Sequence, residues 1–188
     1  MKRIFTAIKI TPDKPLTDFI LKTQKSFPGA AIKWVESFNH HITLFFYGET
    51  EEKQISDIIA GLKGIADSIA PFQVFTGKAG YFGSIKSPKV LWLEMLEPTG
   101  ELMRLQSLVK EGAVNAGIHT DDKPFRIHLT LGRVHNSFDE RLLKNWLLSS
   151  EGLTPQTYDI NEIILFESKL TPRGPVYSSL QVCKLGSV

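Results

Sequence analysis

The chain has a single cysteine, Cys183, in 188 residues, so it can form no internal disulfide and no thiolate metal cage. Long apolar runs are also missing. Stretches such as Ile42 to Tyr47 are among the longest, far below the ~20 residues that cross a bilayer. The first residues, Met1-Lys2-Arg3-Ile4-Phe5-Thr6-Ala7-Ile8, run into Lys9 with neither the apolar region nor the small-residue cleavage site of a signal peptide. A cytoplasmic protein with no membrane contact is expected. Charge of one sign is lacking too: 22 Lys and Arg face 20 Asp and Glu, for a net charge of +2. That balance does not suit binding of nucleic acid through bulk charge, although it leaves room for a local cationic pocket that holds one phosphate. The remainder, 42% apolar and 22% charged, is an ordinary globular mix. It excludes a disordered tail, a collagen-like fibre and a disulfide scaffold, and fits one domain or two small halves sharing a core.

Hydrophobic periodicity predicts alternating strands and helices. Arg3 to Ile10 reads as a strand, Pro12 to Phe27 as a helix, His41 to Tyr47 as a strand, Glu51 to Ser68 as a helix and Phe72 to Lys78 as a strand. A Gly-, Ser- and Pro-rich loop is expected up to Lys89. The second half repeats the series. It predicts a strand over Val90 to Met95, a helix over Thr99 to Ala116, a strand over His128 to Val134 and a helix over Ser137 to Leu148, with Ser137 and Glu140 at capping-box spacing. Tyr158 to Phe166 and Val176 to Cys183 are the last strands expected. Corresponding elements lie about 87 residues apart, which marks an architectural duplication with little identity between the copies. The expected fold is α+β: two pseudo-symmetric β-α-β-α-β lobes whose antiparallel sheets flank a central active-site groove. It would form one two-lobed domain over 1–188, with halves at about 1–80 and 88–170 and a C-terminal strand at 175–183.

One pattern sits at matching places in both halves: His41-Ile42-Thr43-Leu44 and His128-Leu129-Thr130-Leu131, with the histidines 87 residues apart. From composition, roughly 0.04 such matches are expected by chance. Strand alternation turns His41 and Thr43 to one face and Ile42, Leu44 and Phe46 to the core; His128 and Thr130 oppose Leu129 and Leu131 in the same way. Each lobe therefore presents an imidazole and a hydroxyl ~7 Å apart on one strand. Two such pairs facing each other suit a phosphate diester. One neutral histidine accepts a proton from the attacking oxygen and the other, protonated, donates one to the departing oxygen, roles that an unperturbed pKa of ~6.5 allows. The threonine hydroxyls can donate to the non-bridging oxygens, where charge builds. The spacing does not suit a metal site, and neither a metal nor a cofactor is expected.

At these residues the chain resembles the two-histidine phosphoesterases, and within them the bacterial and archaeal RNA 2′,3′-cyclic phosphodiesterases, also called 2′-5′ RNA ligases. The resemblance covers nearly the whole chain. It runs through the opening strand Arg3 to Ile8, Trp34 ahead of His41-Ile42-Thr43-Leu44 and Tyr47-Gly48, and the middle strand Lys89-Val90-Leu91-Trp92-Leu93. It continues through His128-Leu129-Thr130-Leu131-Gly132-Arg133 and through Leu165-Phe166-Glu167-Ser168 with Gly174-Pro175-Val176-Tyr177.

The resemblance implies that His41 is the proton donor to the leaving oxygen, His128 the base, and Thr43 and Thr130 phosphate binders. The reaction it implies opens an RNA-terminal 2′,3′-cyclic phosphate to a 2′-phosphate. Reversible ATP-independent 2′-5′ ligation would be the same chemistry with an RNA 5′-hydroxyl in place of water. The implied partner is an RNA end or a nucleotide carrying that cyclic phosphate, with the protein acting as a monomer. Small cyclic nucleotides or an ADP-ribose cyclic phosphate form a second substrate class, and a nucleotide-binding module without turnover a third reading. Intact His and Thr in both motifs argue against that third reading.

The chain departs from the family where Phe125-Arg126-Ile127 precedes His128. Arg126 shares that histidine's face and adds a candidate charge near the phosphate. Arg133 matches the family arginine, yet strict alternation turns it away unless a bulge turns it back. Phe5 and Tyr177 are candidate base-stacking residues, with core packing as the other reading. His40 should face away from His41, and His119 and His135 are assigned no chemistry. Lys2, Arg3, Lys86, Lys89, Arg126 and Arg173 are read either as an RNA path or as solvated surface.

Overall fold

The run Ile4-Phe5-Thr6-Ala7-Ile8 is apolar on both faces, as a strand in the middle of a covered sheet must be. It lies in β1 (Lys2–Lys9), and all five residues are buried. The computed structural model describes residues 1–119, 124–136, 138–172 and 174–186. After β1 come α1 (Lys14–Lys25), β2 (Ile32–Trp34), β3 (His41–Thr50), α2 (Glu52–Asp67), β4 (Phe72–Ser84) and β5 (Ser87–Leu96). Then follow α3 (Glu101–Asn115), β6 (His128–Val134), α4 (Glu140–Ser150), β7 (Thr157–Ile160), β8 (Glu162–Thr171) and β9 (Gly174–Lys184). Two sheets form, ordered β3-β1-β8-β9 and β2-β6-β5-β4-β7, and every strand pairing is antiparallel. The α+β class with two antiparallel sheets is as the sequence predicts.

The two motif strands hold corresponding places: β3 lies beside β1, and β6 lies beside β5. The halves of the chain nevertheless interlace. β4, from the first half, joins the sheet of β5 and β6, and β8, from the second half, joins that of β1 and β3. The helices interlace in the same way. α3 packs on β3 and α2, whereas α1 and the residue that caps it meet α4 and β7 through two hydrogen bonds. In these the Trp146 indole donates to Thr23 Oγ1 at 3.0 Å and the Tyr158 hydroxyl to Asp13 Oδ1 at 2.9 Å. Each sheet is thus built from both halves, and each core residue such as Leu105, Leu129 or Trp146 adds roughly 1.5–3 kcal/mol of apolar burial.

Four expectations change in detail. The predicted strand Tyr158 to Phe166 is two strands, β7 and β8, which leave Asn161 for opposite sheets. The helix predicted from Ser137 begins at Glu140, capped by the Asp139 carboxylate accepting from the Arg141 amide; Ser137 and Arg173 lie outside the described residues. The short strand β2 has no counterpart in the sequence prediction. It fits against β6 because Gly132 has no side chain, where a Cβ would lie 2.7 Å from Ile32 and 2.8 Å from Trp34.

The predicted loop after Lys78 is in fact the second half of β4, paired with β5 down to Ser84 and Ser87. Its glycines read as loop, but at Gly80 the missing Cβ makes room for the Trp92 ring. Alanine at Gly80 should destabilise the protein by about 1–3 kcal/mol through overpacking, seen as a lower urea midpoint. An unchanged midpoint would show that Trp92 moves aside freely.

Candidate active site

β3 and β6, the two motif strands, come from different sheets and run close together at the junction of the lobes. Both histidines are half-buried and both are held in the same way. His41 Nδ1 is 2.6 Å from the Asn39 carbonyl oxygen, and His128 Nδ1 is 2.6 Å from that of Arg126. A carbonyl oxygen only accepts, so each Nδ1 carries the hydrogen and each Nε2 is left for chemistry. The carbonyl lies two residues before the ring in both cases, so the duplicated motif carries a duplicated orienting bond. Asn39 is itself tied down where its Nδ2 donates to the Pro175 carbonyl at 3.3 Å.

Burial is the main influence on both imidazoles and lowers both below the usual histidine range. The bonds to Asn39 and Arg126 oppose it by favouring the charged form, while the Arg133 guanidinium pushes both histidines down further. His41 also feels His40 and His128, so the two site histidines titrate in each other's field.

Arg133 reaches this face because β6 carries a bulge. Pairing with β5 passes from Gly132 directly to Thr130, leaving Leu131 as an extra residue. Leu131 and Gly132 are both buried, and Arg133 returns to the side of His128 and Thr130. β3 is bulged at Leu44 and Tyr47. Phe46, expected in the core, therefore turns outward and is 48% exposed. Thr43 and Thr130 remain half-buried on the faces of their histidines.

Aromatic rings wall each histidine. Phe5 lies 5.0 Å and Tyr177 5.4 Å from the His41 ring, and Phe82 lies 4.9 Å from that of His128, with Trp92 behind it at 6.3 Å. Phe5 is 3% exposed and sits among His41, Phe166 and Tyr177, so it packs the histidine and offers no free face to a base. Tyr177 is half-buried and keeps part of its surface open. Sequence reasoning misses Phe82 because it ends β4 at Lys78; the available signal is strand alternation that continues past the glycines, with Ala79 and Tyr81 on one face and Gly80 and Phe82 on the other.

A groove of 1020 Å³ opens beside His128. Thr43, Phe46, Phe82, Lys110, Arg126 and His128 are among its lining residues, and His119 also borders it. Arg126 is exposed there. A smaller cavity of 170 Å³, bordered by Lys9, Asn39, His40 and Tyr177, adjoins His41. His40 is a packing residue, 1% exposed, as expected from its opposite face. No group of three or more His, Cys, Asp or Glu gathers among the described residues, and no described helix is long and apolar enough to cross a membrane.

Two antiparallel sheets that bring a matched pair of histidines and threonines to their junction define a class of fold built for phosphoester chemistry. The family model described as LigT-like phosphoesterase matches the chain over residues 10–92 and again over 94–177, and the chain belongs to that family. It is 32% identical over 186 residues to a protein of Thermotoga maritima named RNA 2′,3′-cyclic phosphodiesterase, covering 97% of this chain and 95% of that one. A protein of the same name from Archaeoglobus fulgidus is 32% identical over 183 residues, covering 96% and 98%. A crystal structure of a Thermus thermophilus protein superposes with a TM-score of 0.79 at 26% identity, covering 99% of this chain and 100% of that one.

Proposed function

We propose that the protein hydrolyses RNA-terminal 2′,3′-cyclic phosphate to a 2′-phosphate by acid–base catalysis between His41 and His128. The observation that carries this reading is the matched orienting bond, which engages Nδ1 of both rings and leaves each Nε2 with no hydrogen-bond partner among the described residues. The names of the relatives supply the substrate. His128, neutral, takes a proton from water at Nε2 as the water oxygen bonds to phosphorus. The bond from phosphorus to the 3′ oxygen breaks, and that oxygen takes the proton from Nε2 of His41. The histidines end with their protonation states exchanged and reset through solvent. Thr43, Thr130 and Arg133 hold the non-bridging oxygens, where negative charge grows. Arg126 contributes through its carbonyl and adds positive charge at the groove rim, and Tyr177 borders the terminal nucleoside. With an RNA 5′-hydroxyl attacking in place of water, the same steps give a 2′-5′ linkage without ATP.

The reading also takes residues 1–188 as a single catalytic domain, because each sheet needs both halves of the chain, and takes the protein to act as a monomer in the cytoplasm. Its test is incubation of the protein with a short RNA ending in 2′,3′-cyclic phosphate. Opening of the cyclic ester at an undiminished rate in EDTA is expected. A rate abolished by EDTA and restored by a divalent ion would contradict a mechanism carried by the two histidines alone.

A further inference from the structure

We propose that Arg3 and Phe46 form a stacking platform for the nucleotide 5′ to the cyclic-phosphate end, so that the site selects an oligonucleotide terminus over a mononucleotide. This rests on the reaction proposed above and adds the residues that read the next unit of the chain. The Arg3 guanidinium lies over the Phe46 ring, 4.8 Å from its centroid. Arg3 stands two residues before Phe5 on β1, so it shares the face of the ring that walls His41, ~7 Å further along the strand. Its charge also reaches the Tyr177 hydroxyl. The platform therefore continues the catalytic face outward and is not an isolated surface feature.

Three features suit it to a nucleotide of single-stranded RNA. The two bulges of β3 turn a phenylalanine out of the core, leaving it 48% exposed along the groove. Arg3 Nε is buried against the protein and has no hydrogen-bond partner among the described residues, so the guanidinium is laid over the Phe46 ring without a bond at that nitrogen to hold it elsewhere. Planar guanidinium and aromatic faces are the surfaces on which unpaired bases stack. Size agrees as well. The 1020 Å³ groove, bordered by both His128 and Phe46, is as large as the ~300–1,000 Å³ typical of small-ligand sites. Lys110 and Arg126 on its walls supply positive charge for a chain of phosphates.

The test compares kcat/KM for a trinucleotide ending in 2′,3′-cyclic phosphate with kcat/KM for 2′,3′-cyclic AMP. The wild type should favour the trinucleotide at least ~10-fold, within the range that one base stack supplies. Phe46→Ala and Arg3→Gln should each bring the ratio toward one, and Phe46→Trp should keep it, with folding checked by thermal melting. A wild-type ratio near one, or a ratio unmoved by both Phe46→Ala and Arg3→Gln while both substrates turn over, would overturn the platform and leave the proposed reaction intact. Hydrolysis of neither substrate by the wild type would overturn the reaction and the platform together.

Discussion

Alanine in place of His41 or His128 is expected to lower kcat by at least ~10²-fold, the usual scale for a general acid or base. The two losses should not multiply. With one histidine gone, the other has no partner step to complete, so the double variant should lie close to the worse single one. Both side chains are half-buried and their Nδ1 bonds go to local carbonyls, so thermal unfolding should shift only slightly. Single-turnover kinetics on a cyclic-phosphate RNA measures this. A variant that retains wild-type kcat would remove that histidine from the mechanism.

Substituting Arg133 by methionine should cost roughly 10²-fold in kcat/KM, comparable to removing one donor from an oxyanion site. It should also move the pH profile, and the sign follows from the site. In the proposed mechanism His41 is charged and His128 neutral, which gives a bell-shaped profile. Burial and the Arg133 charge hold both imidazoles below their ordinary value, so the wild-type bell for kcat/KM should peak below about pH 6.5. Removing Arg133 relieves part of that depression. Both limbs should then shift to higher pH, whereas Arg126→Met, which keeps the backbone carbonyl that holds His128, should leave the midpoints in place. A lower rate with an unmoved bell would show that Arg133 binds substrate without acting on the histidines.

Much of this site could be read from strand chemistry. The alternation in His-x-Thr-Leu is local, so it places His41 with Thr43 and His128 with Thr130 without knowledge of the fold. The position of Arg133 was less legible. Its side depends on whether Leu131 is matched across the sheet, and only the pairing of β6 with β5 decides that. Phe46 failed for the same reason, since the bulges at Leu44 and Tyr47 appear only when β3 is set against β1.

The 87-residue repeat recovers the order of elements but not their partners. β4 and β8 carry the same kind of pattern whether they stay with their own half or cross to the other. That choice is made by long-range packing, as in the Thr23–Trp146 bond between helices 123 residues apart in sequence. The glycines of β4 read as turn residues because their purpose, admitting the Trp92 ring at Gly80, lies on a neighbouring strand.

The central claim is that paired histidines open the cyclic phosphate on the 3′-oxygen side. Phosphorus NMR of the product formed from an RNA ending in 2′,3′-cyclic phosphate tests it most directly. The account predicts a 2′-phosphate as the sole new resonance, absent with His41→Ala and with His128→Ala. A 3′-phosphate, or a 2′-phosphate formed equally well by either variant, would contradict it.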